Sequence, residues 1–393
     1  MNQITEDSPP SIFRLLVSFL RLGLTAFGGP SMVSYIRKLA VEERHWLTSE
    51  SFNSGVALCQ IIPGATAMQS AAYVGLKTRG VAGAAATFIG FGLPAFFLMS
   101  VLAGIYKLVI NLPITTFMFS CLQAIIIAII ANATVSFGKN TLKEWKSILI
   151  TFISVALFAL QVNPIIIIVL SACEGIVLGL KSKTGKSASS LGDKMKSTLR
   201  PVLIILSFYA VLLLILFFLN RSMFVLSTLM FRIDLFAFGG GFASVPLMYH
   251  EIVEVRHLLG SQAFMNGIAL GQVTPGPIVI TATFVGYLIA GPFGGIVGTI
   301  SIFLPSFMMV VGVTPFFDRL RDQKYFNETM MGILSSFVGL LFVVTVRFAM
   351  DVHWGLAQVS LGVAALIALL FGTDILYVVL AGVAMSAAIF LVF

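Results

Sequence analysis

Duplication constrains this chain more than any other feature. Phe27-Gly28-Gly29-Pro30 recurs as Phe238-Gly239-Gly240-Gly241, and Arg44-His45 recurs as Arg256-His257. Ala57-Leu58-Cys59-Gln60-Ile61-Ile62-Pro63-Gly64 recurs as Ala269-Leu270-Gly271-Gln272-Val273-Thr274-Pro275-Gly276. Val74-Gly75, Gly80 and Leu93-Pro94 return as Val285-Gly286, Gly291 and Leu304-Pro305, always 211 or 212 residues later. Ordered matches at one spacing mean that a single unit was copied, so the fold must consist of two similar halves.

The solvent of those halves follows from composition. Hydrophobic residues make up 58% of the chain and charged residues 10%, whereas a soluble domain keeps about a quarter of its residues charged. Mean hydropathy is +1.03. The chain is therefore expected to be an all-α polytopic membrane protein in contact with the lipid bilayer, multi-pass in the cell inner or plasma membrane. Its 393 residues leave room for about a dozen crossings of ~20 residues each, with an odd total near thirteen.

Each half repeats one plan. An apolar segment runs into the glycine motif, a polar-tipped helix follows, and a short, weakly apolar segment ends at Gln-x-x-Pro-Gly. A Gly/Ala-rich span, a long span and a close helical pair complete the unit. The expected boundaries are 1–180 for the first repeat and 221–393 for the second. Between them lie a basic cytoplasmic linker, 181–200, and a linking transmembrane helix, 201–220. One linking helix between units of even span number turns the second unit upside down. Loop charge points the same way: Lys77 and Arg79 have the uncharged Ala290-Gly291-Pro292 as their equivalent, while Arg319, Arg321 and Lys324 appear at the opposite end of the following span. Basic loops mark the cytoplasmic side, so this swap is the signature of an inverted-topology repeat, common in alternating-access transporters. The net charge of +8 is read as this orientation signal, with no nucleic-acid partner.

Substrate sites in such proteins lie where backbone leaves helical geometry, because broken helices are tolerated only in protein or beside a cavity. Two pairs of breaks are expected: Gly28, Gly29 and Pro30 with Gly239, Gly240 and Gly241, and Gln60, Pro63 and Gly64 with Gln272, Pro275 and Gly276. Helix N-termini at such breaks offer unpaired N–H groups and partial positive charge, which suits an anion. The alternative reading of the glycines is close helix packing, and of the prolines a simple kink. The segments before Pro-Gly are too short to cross and are read as re-entrant or discontinuous. Arg21 and Arg232, each six residues before the motif phenylalanine, are candidates to grip an oxyanion by forked hydrogen bonds; snorkelling is the competing role. Arg44 and Arg256 are candidates for substrate access or gating, and Asp234, His250, Glu251 and Glu174 for proton coupling. Four histidines without ligand spacing and three scattered cysteines give no metal, haem or disulfide pattern, so no cofactor and no enzyme activity are expected. There is no phosphate loop for a nucleotide motor.

Phe-Gly-Gly-Pro, Glu43-Arg44-x-Trp46-Leu47 and Gln-x-x-Pro-Gly, with their second copies, resemble the chromate transporter family in its long two-domain form over nearly the whole chain. The resemblance implies chromate efflux from a bacterial cytoplasm and chromate resistance, with sulfate as the close structural analogue. A sulfate or other oxyanion permease, or an anion channel on the same scaffold, stays open, as does a homodimer. Gly241 in place of Pro30, Leu258 in place of Trp46 and Ala65 in place of Pro277 imply that the halves contribute unequally.

Overall fold

The computed structural model describes residues 10–27, 31–179, 192–317 and 323–392. Gly28, Gly29 and Pro30, most of the basic linker, and Arg319 and Arg321 lie outside the described residues. Those described are helical, with no strand among them. The first half comprises α1 (Ile12–Thr25), α2 (Ser31–Arg37, continued by a π-turn Lys38–Glu43), α3 (Ser49–Ile61), α4 (Thr66–Val109), α5 (Pro113–Thr141), α6 (Trp145–Ala159) and α7 (Pro164–Gly179). After the linking helix α8 (Gly192–Leu219) the order returns: α9 (Arg221–Leu235), α10 (Ser244–Tyr249, π-turn His250–Val255), α11 (Ser261–Val273), α12 (Thr281–Val313), α13 (Lys324–Asp351), α14 (Leu356–Leu370) and α15 (Ile375–Val392). Each of α1–α7 has its counterpart in α9–α15. The repeat extends to backbone detail: His45 and His257 leave their π-turns at φ 51° and 50°.

Among the described residues, six helical segments are long and apolar enough to cross a membrane, including Thr66–Val109, Arg200–Leu219 and Ile278–Phe316. α8 exposes many large apolar side chains, such as Phe208, Leu214 and Phe218, as a lipid-facing helix requires. The chain is a multi-pass membrane protein of two homologous halves.

Neither α4 nor α12 is a single rod. Arg79 (φ −142°, ψ 25°) and Gly80 (φ 62°) leave helical geometry, as do Ala290 and Gly291 (φ 66°). A Cβ placed on Gly75 would lie 2.2 Å from the carbonyl oxygen of Gly83, although residues eight apart in a straight helix are separated by about 12 Å. Gly286 and Gly294 are related identically, also at 2.2 Å. The chain therefore doubles back at Gly80 and Gly291, and the glycines let the two arms touch through their backbones.

The short first arm of α4 also folds against α3. Tyr73 donates its hydroxyl to the Ser51 carbonyl, and its ring covers Gly55; Phe284 covers Gly267 in the second half. These contacts run antiparallel about the Pro-Gly break. At 13 residues each, α3 and α11 reach roughly 20 Å, short of the ~30 Å hydrocarbon core. Each half thus carries a re-entrant helical hairpin with its tip at Pro63-Gly64 or Pro275-Gly276.

The halves interlock by exchange. The α6–α7 pair packs on α13 of the other half, where Gly175 and Gly332 bring backbones together, while α14 and α15 pack on α5 through Gly362 and Gly382. Between the second arms of α4 and α12 lies an apolar cavity of about 520 Å³. Its walls are repeat-related pairs, including Phe88 with Thr299, Ile89 with Ile300 and Leu93 with Leu304. A pseudo-two-fold axis passes through it.

Candidate functional site

The two hairpin tips are bound to the opposite halves. Gly64 donates its N–H to the Ala237 carbonyl (2.9 Å), and Gly276 donates to the Ala26 carbonyl (3.0 Å). Ala26 and Ala237 each stand just before the phenylalanine of their Phe-Gly-Gly motif. The two hairpin tips therefore meet the halves crosswise, each Pro-Gly tip bonded to the alanine that precedes the other half's Phe-Gly-Gly motif. Gly64 (φ 119°) and Gly276 (φ 113°) hold backbone conformations that L side chains rarely adopt. Gly239 and Gly240 are also left-handed, at φ 96° and 91°, and Gly240 lies against the Thr66 hydroxyl. Gly241 opens a 3-10 turn over Ile278 and Val279.

Each tip starts a helix. The Ala65 N–H is taken by Ser306 Oγ (2.9 Å), but the following first-turn amides, Thr66 to Met68, have no carbonyl one turn earlier in the helix to bond. Pro63 and Pro275 are buried and place the break at fixed depth. Of the two glutamines predicted to present amides, Gln272 is buried and its Nε2 has no acceptor, whereas Gln60 is exposed. A third glutamine, Gln69, is fully buried beside the first tip; it donates to the Pro63 carbonyl and leaves Oε1 without a donor. Unpaired buried polar atoms cost on the order of 1–3 kcal/mol each. They gather around the two helix starts, where a ligand that bonds them would remove that cost.

The second half adds a carboxylate. Asp234 is fully buried, and its Oδ2 accepts from the Ser306 N–H (2.8 Å) and hydroxyl (2.7 Å). The equivalent positions in the first half are Gly23 and Ala95. Ser306 so joins α9, α12 and the first tip.

The arginine pair is unequal. Arg232 is ion-paired with Glu251, whose other oxygen lies 3.6 Å from Arg256. By the spacing of the π-turns, Leu39 occupies the position of Glu251 in the first half, so Arg21 has no carboxylate there. Arg21 is exposed, away from the buried Leu15, Phe19 and Gly23 face of α1, and has no ion-pair partner among the described residues. His250 contacts Glu254 (3.0 Å), and Glu254 is ion-paired with Arg347, which also donates to the Phe158 carbonyl. His250 and Glu251 thus sit in a charge network at the α10 π-turn rather than at the tips. Arg44 is exposed beside the end of its π-turn. Glu174 lies half-buried on α7, with Oε2 unpaired, apart from this cluster.

A second inequality concerns access. Beside the first hairpin lies a polar cavity of about 280 Å³, lined by Thr48, Glu50, Ser54, Tyr73, Lys77 and Phe317 among others. The repeat-related place in the second half is filled: Asn266 replaces Ser54 and Tyr106 replaces Phe317. Gln123 donates to Asn266 (2.8 Å) and Asn266 to the Tyr106 hydroxyl (3.1 Å), with the Tyr106 ring against Phe284 at 5.0 Å. One side is open and its mirror position is closed.

Sequence reasoning did not single out Ser306, Gln69, Arg347 or the Tyr106–Asn266–Gln123 chain. Ser306 directly follows the repeated Leu-Pro pair, and the substitution of Ala95 by serine was a legible signal. The others announce themselves only through contacts between distant segments.

Comparison with known proteins gives one family. Its profile, chromate transporter, matches residues 13–176 and 224–387, the two halves separately. An uncharacterized transporter of Methanocaldococcus jannaschii is 42% identical over 96% of this chain and 94% of its own length. A probable chromate transport protein of Synechococcus elongatus is 28% identical over 84% of this chain and 83% of its own. A chromate transport protein of Pseudomonas aeruginosa is 28% identical over 88% and 83%. No solved structure matches the chain. With both repeats matched along their length, each contributing one hairpin to the crossed tips, the chain belongs to the chromate transporter family.

Proposed function

We propose that this protein exports chromate as a dianion from the cytoplasm by alternating access around the paired hairpin tips, and so confers chromate resistance. One observation carries the reading: the reciprocal Gly64–Ala237 and Gly276–Ala26 hydrogen bonds bring two helix starts together, with the first-turn amides Thr66 to Met68 and the buried Gln272 donor, which has no acceptor, available to a ligand. Preorganised amide donors away from water favour an anion strongly. Relatives named as chromate transport proteins supply the ion.

Alternating access is supported by the exchange-related halves, the single linking helix α8 and the inverted loop charges. It is supported too by the unequal cavities, since two repeats in different conformations give one open and one closed side. Lys77 lines the open cavity, and the positive-inside rule favours the cytoplasm for that side, where an exporter loads. A dianion leaving a cell that is negative inside gains about 4.6 kcal/mol per 100 mV. That is on the order of a thousandfold gradient without a nucleotide. Sulfate, with the same charge and tetrahedral shape, is expected to compete.

Chromate uptake by energised inside-out vesicles tests the reading. Protein-dependent uptake, inhibited by excess sulfate and abolished by collapsing the potential, is expected. Absence of uptake in vesicles shown to contain the protein contradicts it, and a conductance far above carrier turnover replaces the carrier with a channel.

A further inference from the structure

We propose that Asp234 is a proton-binding site whose occupancy sets the affinity of the hairpin tips for the anion. This rests on the proposed anion site, and adds to it a second ligand.

The carboxyl group is fully buried, yet only half of it is satisfied. Oδ2 accepts two bonds from Ser306, and Oδ1 has no partner. An ionised carboxylate removed from water needs a countercharge, a proton or a bound cation. No countercharge is present: among the described residues no Lys, Arg or His forms an ion pair with Asp234. α12 presents Ser306, and the first tip, which reaches the carboxyl group through Ser306, presents Gly64, Ala65 and the Gln69 amide, all neutral. α8, also packed on α9, brings the Tyr209 hydroxyl to Ser227, and the π-turn after α10 brings Glu251, which is held by Arg232. The nearest charge on its own helix, Arg232, is engaged by Glu251. Helix α9 could have carried glycine here, as α1 does at Gly23, so the fold itself does not demand the acid.

Its place links it to the anion. Ser306 Oγ donates to Asp234 and accepts the Ala65 N–H that opens the first hairpin's outgoing helix. Six residues beyond Asp234 stands Gly240, against Thr66 of the same helix start. An ionised Asp234 repels a dianion at these amides; a proton on Oδ1, drawn from the aqueous side to which the site is open, removes that repulsion. Proton and anion therefore bind cooperatively, and linkage requires each to raise the affinity of the other by the same factor.

Two readouts on the full-length protein in lipid nanodiscs test this. Infrared difference spectra, with no anion present, are expected to show a buried protonated-carboxyl band that disappears on alkalinisation and is absent in Asp234→Asn. In Ser306→Ala, which loses a hydrogen bond to the ionised form, the band persists to higher pH. The second readout is the chromate dissociation constant across pH, with sulfate in parallel because its charge stays constant. Wild-type sulfate affinity is expected to fall by up to about tenfold per pH unit once the carboxyl ionises, whereas Asp234→Asn stays flat at the low-pH value. Identical infrared titrations in wild type and Asp234→Asn overturn the proposal, as does a sulfate affinity in wild type that ignores pH or that requires sodium. If the Asp234 band titrates but wild type binds neither anion at any pH, the linkage falls together with the anion site, and only the bare proton site stands.

Discussion

The Gly64 amide lies 2.9 Å from the Ala237 carbonyl, a bond between the tip of one half's hairpin and the glycine turn of the other. Its repeat-related copy, Gly276 to Ala26, makes the centre of the protein a crossed joint rather than two independent sites. On the proposed alternating-access reading, motion of one half against the other passes through this joint, beside the substrate.

The joint tolerates no side chain at its glycines. A Cβ at Gly64 would lie 2.0 Å from Ser306 Oγ, and one at Gly276 2.6 Å from the Ala95 Cβ, both at positive φ. Each alanine substitution is expected to cost at least about 1–3 kcal/mol from backbone strain alone, read as a lowered melting temperature. Ala95→Gly is expected to restore part of the loss in Gly276→Ala, by relieving the contact but not the strain. Equal melting of single and double variants contradicts this.

The turn and the arm of α4 separate conformational from steric demand. Gly80→Ala meets open space and suffers only its φ of 62°, a cost of about 1 kcal/mol. Gly83→Ala places its Cβ 2.3 Å from the Gly75 carbonyl oxygen and is expected to be clearly worse. Thermal unfolding in one detergent ranks the two directly.

Arg21 and Arg232 are expected to behave differently despite their equivalence in sequence. Arg232→Ala leaves Glu251 buried with only Arg256 nearby. Because Arg232 is itself 40% exposed, the cost is expected near 1–3 kcal/mol rather than that of a fully buried pair. Arg21→Ala removes a side chain without an ion-pair partner and is expected to change stability by less than about 0.5 kcal/mol. Any loss of chromate transport in Arg21→Ala is then functional, and unchanged transport with unchanged stability removes Arg21 from the substrate path.

On the closed side, Asn266→Ala strands Gln123 and the Tyr106 hydroxyl, at about 1–3 kcal/mol. If this chain holds one side shut, the variant shifts the population toward the opposite opening. A cysteine introduced at Ala263 is then expected to react faster with a membrane-impermeant thiol reagent. An unaltered rate, with the variant destabilised, assigns the chain to packing alone.

Much of this architecture was legible in the sequence because it depends on backbone-breaking residues. Glycine and proline at repeated positions fix where helices stop, and the hairpin turns at Gly80 and Gly291 and the tips at Pro63-Gly64 and Pro275-Gly276 stand there. Pairing between halves was not legible, since periodicity carries no information on which tip meets which turn. The reduction of the arginine pair to one free member depends on a single exchange, Leu39 for Glu251, in a segment where the repeat spacing shifts from 211 to 212. The same holds for Asp234, whose partner Ser306 is 72 residues away.

Gln272→Leu tests the central claim most directly, through melting temperature and chromate affinity measured on the same purified sample. A buried donor without an acceptor destabilises the empty protein, and its apolar replacement of similar size removes that cost. If the crossed tips bind the anion, Gln272→Leu melts at or above the wild-type temperature while chromate affinity falls tenfold or more. A lower melting temperature with unchanged chromate affinity contradicts the account and makes Gln272 a structural residue.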